Sequence, residues 1–216
     1  MMLYKYFGTF ICWMVALPLN AQLLSAKALQ KVKPFVSLET ALKAPDQVIK
    51  LDLWNADLAS IPKEVFQLKN LQALNLNFNQ LKDVPAEIAQ LKYLQELRLG
   101  HNQLTSYSAH LSALPHLRVL DLHGNRLANI PAAIAKLPLL EELHLHENQL
   151  TKINAAWTTL AKLRFVNLSE NQLKALSITA QHSLKHLNML ILIKNRLKKK
   201  QQKQLQKFLP NTTLRF

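Results

Sequence analysis

The chain has 216 residues, a formal net charge of +14, 49% hydrophobic residues, one cysteine and three glycines. This apolar fraction excludes a disordered chain, and the length allows one or two domains with a sizeable core. A lone cysteine builds no disulfide framework, and Gly8, Gly100 and Gly124 lie too far apart for a phosphate-cradling loop or a dinucleotide fingerprint.

Residues 1–21 have the pattern of a secretory signal. Lys5 supplies a short positive region, the run from Tyr6 to Leu17 is apolar apart from Thr9, and Ala21 puts a small residue before Gln22. The apolar run is shorter than the roughly 20 residues a membrane helix needs, so cleavage is expected rather than an anchor. Cys12 leaves with the signal, and a mature chain without thiols has no thiol chemistry in an oxidising compartment. Residues 22–47 are expected to form an N-terminal segment with a cap helix at 35–47. There "SLETALKAP" offers Ser37 as N-cap, Glu39 in the first turn and Pro45 as a stop.

From Val48 onward the chain repeats. Asn79, Asn102, Asn125, Asn148 and Asn171 recur every 23 residues, and Asn195 follows after 24. Each lies in the frame LxxLxLxxNxL, as in "LQALNLNFNQL" from Leu71 and "LEELHLHENQL" from Leu140, with Val166 replacing one leucine. An earlier copy, "VIKLDLWNADL" from Val48, has Ala56 in place of Asn and marks the N-terminal edge. "NTTLRF" sets Leu214 and Phe216 where a truncated eighth strand would place its leucines. The LxL pairs have strand spacing with one buried face. The Asn amide, between buried leucines, can donate to and accept from backbone groups that would otherwise be orphaned. Ile61, Val65 and Leu68, like Val84, Ile88 and Leu91, have helical spacing, so turns of helix should close the core opposite the strands. One copy cannot bury its leucines and stacked copies can.

These seven copies resemble the leucine-rich repeat family, and "IPKEVFQL", "VPAEIAQL" and "IPAAIAKL" are similar to its short bacterial form. The resemblance implies an α/β leucine-rich repeat solenoid over 48–216, with a parallel concave sheet and a helical or 3-10 convex side. It also implies a protein-interaction module rather than an enzyme.

The third, fifth, seventh and eighth positions of LxxLxLxx should face the concave side, since the leucines are used by the core. Trp54, Phe78 and Phe165 then put aromatic rings on a wet face, the usual chemistry of a binding hot spot. Asn75, Arg98 and Asp121 sit among them, and His101, His123, His144 and His146 cluster in three successive copies. These ten residues are the expected partner site. His123 and His146, and likewise Asp121 and His144, should be neighbours about 4.8 Å apart on adjacent strands. Such pairs can sense pH or hold a zinc-like ion. The open face and the lack of Cys argue for solvated polar residues instead, so no metal and no cofactor are expected. Glu141 and Glu142 are strand neighbours and should face apart. No nucleophile elbow or metal-protease helix is present, so no catalytic residue is expected.

Met189, Ile191 and Ile193 make the last full strand apolar, a contact for the C-terminal lid or for a second copy in a homodimer. The basicity is a C-terminal feature, with ten Lys and Arg and no acid in residues 171–216. A helix from about Leu197 to Leu209 would bury Leu205, Phe208 and Leu209 and expose Lys198, Lys199, Lys200, Lys203 and Lys207. That is first a solvated lid, and in the alternative reading a contact for an anionic envelope polymer or lipid surface. Nucleic acid fits poorly, because no groove-reading motif or stacking platform accompanies the lysines and a signal directs the chain outward. The expectation is a protein exported to periplasm, outer surface or medium.

Overall fold

The computed structural model describes residues 22–153, 155–176, 178 and 184–216; the expected signal at 1–21 lies outside the described residues. Eight strands form one all-parallel sheet in chain order. They are β1 (Lys50–Asp52), β2 (Ala73–Asn75), β3 (Glu96–Arg98), β4 (Val119–Asp121), β5 (Glu142–His144), β6 (Phe165–Asn167), β7 (Met189–Ile191) and β8 (Thr213–Arg215). The register matches equivalent repeat positions throughout: Leu51 lies opposite Leu74, Leu74 opposite Leu97, and so on to Leu190 opposite Leu214. The central residues of β1 to β7 are at most 1% exposed. Full burial of such a side chain is worth about 1.5–3 kcal/mol.

The return path is shorter than the helical spacing suggested. The crossings between β1 and β7 are five-residue 3-10 turns, such as Lys63–Gln67, Ala86–Gln90 and Ala132–Lys136, apart from the shorter Leu184–His186, and the last crossing, to β8, is an α-helix over Lys199–Phe208. A 23-residue repeat leaves too little chain for an α-helix of useful length, and the 3-10 form advances farther per residue. The aliphatic-Pro pair is lost in three of the first six repeats, the earliest of them at Tyr107-Ser108. There Tyr107 replaces the aliphatic residue, and its hydroxyl lies 3.2 Å from Ser112 Oγ, which donates to the Ala133 carbonyl at 2.9 Å.

The asparagines form the expected internal ladder. Asn125 Nδ2 donates to the carbonyls of Leu99, Leu122 and His123, at 2.9, 3.0 and 3.1 Å, and its Oδ1 accepts from Leu104 N at 2.9 Å. Asn102, Asn148 and Asn171 repeat the pattern. Where Ala56 breaks the series, Asn79 Oδ1 accepts from both Ala56 N and Leu58 N. Each rung ties two repeats, which is why the stack is rigid along its axis.

The residue just before each ladder position is left-handed. Asn55, Phe78, His101, Gly124, Glu147, Glu170 and Lys194 all have φ between 48° and 61°. Only one is glycine. A non-glycine residue in this region costs of the order of 1–3 kcal/mol unless its surroundings enforce it. Here the Asn rung on one side and the strand on the other enforce it, and the kink swings the eighth side chain out over the concave face.

At the N-terminus, α2 (Leu38–Leu42) is the expected cap helix, with Ser37 Oγ accepting from Thr40 N at 3.4 Å. A second helix, α1 (Ala26–Lys31), was not anticipated; it offers only Leu29 to the core, too little for a periodic signal. Two buried glutamines hold the segment ahead of it. Gln72 Oε1 accepts from Leu24 N at 2.9 Å and from Gln95 Nε2 at 2.8 Å, while Gln72 Nε2 donates to the Gln22 carbonyl and Gln95 Nε2 to the Leu24 carbonyl. Phe35 then bridges to Leu51 at the sheet edge. At the other end α3 (Lys199–Phe208) buries Leu205 and leads to β8. No helix among the described residues is long and apolar enough to cross a membrane.

Candidate functional site

The concave side chains join into a ladder of rings that crosses six strands. Trp54 lies 5.5 Å from Phe78, ring centre to ring centre, and Phe78 lies 4.2 Å from His101. His101 meets His123 edge-on at 4.5 Å, and His123 stacks on His146 at 4.5 Å with planes 7° apart. His146 lies 6.3 Å from His144, which lies 5.0 Å from Phe165. Every aromatic or imidazole residue expected at the site is thus in one series. Its open end is Trp54, 54% exposed, and Phe78, 44% exposed.

Two glycines seat the middle rings. The pattern of small residues at Gly100 and Gly124 suggests gaps, but the gaps are filled. A Cβ on Gly100 would lie within 2.3 Å of the His123 ring, and one on Gly124 would lie 2.5 Å from His101 Nδ1. Backbone without side chain is therefore what lets these imidazoles lie flat on the neighbouring repeat.

Asn75 and Asp121 have a second role. Fifth-position carboxylates and amides turn onto the backbone two residues later: Asp52 to Trp54 N, Asn75 to Asn77 N, Asp121 to His123 N and Asn167 to Ser169 N, each at 3.1 Å. They brace the strand ends that carry the rings. The recurrence of Asp or Asn in this column was visible in the sequence as an Asx-turn signal. Asp121 is opposite His144 in register, as expected. Its carboxylate nevertheless bonds to His123 Nδ1 at 2.6 Å, and His144 faces Glu142 at 3.4 Å. The i, i+2 partner on the same strand is nearer than the one across the sheet. Glu141 faces away from Glu142 and accepts a forked pair of bonds from Arg118, at 3.1 and 2.8 Å.

The imidazoles are electrostatically unequal. The hydrogen bond that His123 donates to Asp121 raises the His123 pKa, outweighing burial, which opposes it. Burial works against the ionised Asp121, and the His123 bond and charge overcome it, so its carboxyl sits below the ordinary range. Burial lowers the His146 pKa, and the neighbouring His123 charge lowers it further. The hydrogen bond to His144 lowers the Glu142 pKa despite partial burial. Among the described residues no group of three or more His, Cys, Asp or Glu is placed to hold a metal ion.

Beside the ring ladder, Glu96, Arg98, Val119, Asp121, Glu142 and His144 line a cleft of about 240 Å³, with Gln30 of α1 at its rim. Arg98 Nη2 lies 3.5 Å from Glu96 Oε2, and the Arg98 side chain is half exposed. The sequence reading placed Arg98 here but not the wall that α1 supplies. At the C-terminal end, Lys198, Lys199, Lys200, Lys203 and Lys207 are all exposed while Leu205 and Leu209 are buried. β7 is not the sheet edge, since β8 pairs along its whole length. Its backbone is thus already paired within the chain, although Met189 and Ile191 stay half-buried and Ile193 is 39% exposed.

A single parallel sheet stacked on an asparagine ladder, with short 3-10 returns, defines a leucine-rich repeat solenoid. The model described as leucine rich repeat matches residues 46–104, 115–173 and 138–197, and a two-copy model matches 92–133. The chain therefore belongs to the leucine-rich repeat family, whose members are in general non-enzymatic scaffolds for protein interaction. Among solved structures it is similar to a leucine-rich repeat protein of Leptospira interrogans, with 32% identity and a TM-score of 0.74 over 88% of this chain and 50% of the other. It shares the fold of an internalin from Listeria monocytogenes, with 24% identity and a TM-score of 0.70 over 84% of this chain and 51% of the other. The chain spans about half the length of these two relatives. No curated protein matches it.

Proposed function

We propose that this protein is an exported interaction module that binds a protein partner on its concave face and catalyses no reaction. The observation that carries this reading is the ring ladder, because it ends in two large exposed aromatics in mutual contact. Aromatic anchors on a rigid, polar-rimmed surface are where binding energy concentrates. The partner site comprises Trp54, Phe78, Asn75, Arg98, His101, Asp121, His123, His144, His146 and Phe165. Residues 1–21 act as a cleaved leader, residues 22–47 as the N-terminal cap, and 48–216 as the repeat body with its basic lid.

Crosslinking of the protein in its native envelope tests this. The wild-type chain should yield a specific adduct that Trp54→Ala with Phe78→Ala abolishes at unchanged melting temperature. An adduct indifferent to both substitutions would sink the concave-face assignment. Intact mass of the exported protein should begin at Gln22.

A second reading is favoured by the four exposed lysines of α3 and Lys198 at its N-cap, which have no acid among them. In it the lid holds the protein to an anionic envelope polymer or lipid surface. Sedimentation with anionic vesicles should then fall steeply with salt and disappear when the five lysines become Gln.

A further inference from the structure

The concave face carries the opposite charge to the rest of the molecule. Over the first six repeats its four columns hold six carboxylates, Asp52, Glu96, Asp121, Glu142, Glu147 and Glu170, against two fixed cations, Lys50 and Arg98, with Lys194 of the seventh repeat pairing with Glu170 at 3.0 Å. The whole chain is +14. An acidic sheet inside a basic protein is a sorting device: it repels polyanions from this face and draws cations to it.

Resting on the concave-face reading above, we propose that the occupant is a cationic polypeptide segment: Lys or Arg side chains enter the cleft among Glu96, Asp121 and Glu142, and an apolar side chain lies on Trp54 and Phe78. Three features of the face support this occupant together. The cleft is open, with Gln30 of α1 at its rim. The Glu142 side chain is half exposed, so it keeps capacity beyond its 3.4 Å contact with His144. Trp54 and Phe78 continue the same surface, and exposed ring faces attract ammonium and guanidinium groups as well as apolar ones. Glu96 and Glu142 hold equivalent positions two strands apart, about 10 Å, with Asp121 on the strand between them and two residues further along.

The probes are two short peptides, one alternating Lys and Ser with a terminal Leu, the other with Glu in place of every Lys. Each is titrated against the whole chain by fluorescence anisotropy. The Lys peptide should bind at least about tenfold more tightly than the Glu peptide, and more weakly as salt rises. Changing Glu96, Glu142 and Glu147 together to Gln should weaken it about tenfold, as expected for a few half-exposed ion pairs, with the melting temperature retained. Equal binding of the two peptides, no binding of either, or indifference to the Glu→Gln variant would overturn the proposal. Self-association of the chain abolished by changing Lys198, Lys199, Lys200, Lys203 and Lys207 to Gln would also overturn it, making a second copy the occupant. The two readings fail separately. A native adduct lost with Trp54 and Phe78 but unaffected by the Glu→Gln variant retains the concave site and removes its charge preference.

Discussion

Two ladders run along this solenoid, and they obey different rules. From Asn102 to Asn171 the asparagine ladder is buried, keeps one residue type at one repeat position and makes the same bonds at each rung. The ring ladder is surface-borne, mixes Trp, Phe and His, and wanders from the seventh and eighth columns to the fifth and third. Period alone produces both. What separates them is burial: an unpartnered backbone group inside costs so much that only Asn serves, whereas outside many side chains satisfy water equally well. The regular ladder holds the repeats together, and the irregular one is free to suit a partner.

The comparison breaks most visibly at Asn125. Asn125→Ala removes four hydrogen bonds and leaves buried carbonyls and an amide unpaired. The expected loss is about 3 kcal/mol, seen as a fall of about 10 °C in melting temperature by calorimetry. A change within error would mean that water replaces the rung. Next comes Gly124→Ala, which combines φ of +61° with a Cβ 2.5 Å from His101 Nδ1. It should cost about 1–2 kcal/mol, whereas Gly100→Ala, whose φ is not positive, should mainly push the His123 ring off its seat. A crystal structure of the latter with His123 undisturbed would separate the ring ladder from its glycines.

The smallest effect is on pH dependence. The raised pKa of His123 means that its contribution to stability is complete below the ordinary value of 6.5 and is lost as pH rises through its folded value. The lowered pKa of His146 works the other way: its contribution holds above 6.5 and is lost as pH falls toward its folded value. Glu147, Asp121 and His144 also act on this pair. Melting temperature against pH should therefore lose its alkaline limb in His123→Gln and its acid limb in His146→Gln, by about 1–2 °C each. Parallel profiles for the two variants would show that the rings do not titrate as an unequal pair.

Much of this was legible beforehand because a 23-residue period leaves little freedom. The strands, the asparagine rungs, the Ser37 cap and the helix that buries Leu205 all follow from residue type at a fixed spacing. Other features gave a weak signal or none. Beside Asn55, His101 and Gly124 the left-handed column holds Phe78, Glu147, Glu170 and Lys194, which do not announce that conformation, since the rung beside it imposes the backbone angle. The Asp and Asn of the fifth column read in the sequence only as polar groups of the concave face, although their residue type suits the turns they make. Helix α1 could not be anticipated from one buried leucine, and its clamp depends on Gln72 and Gln95, 48 and 71 residues away from Leu24.

The sequence by itself determined the repeat, its parallel register, which side of each strand is buried, and the basic end of the chain, because leucine spacing and local composition are one-dimensional facts. Only the tertiary structure decided that Asp121 turns to His123 rather than to His144, that two glycines are seats rather than gaps, and that α1 walls a cleft on an acidic face. Those outcomes depend on distances between side chains of different repeats and on a segment folded back from the N-terminus, and no periodicity encodes either.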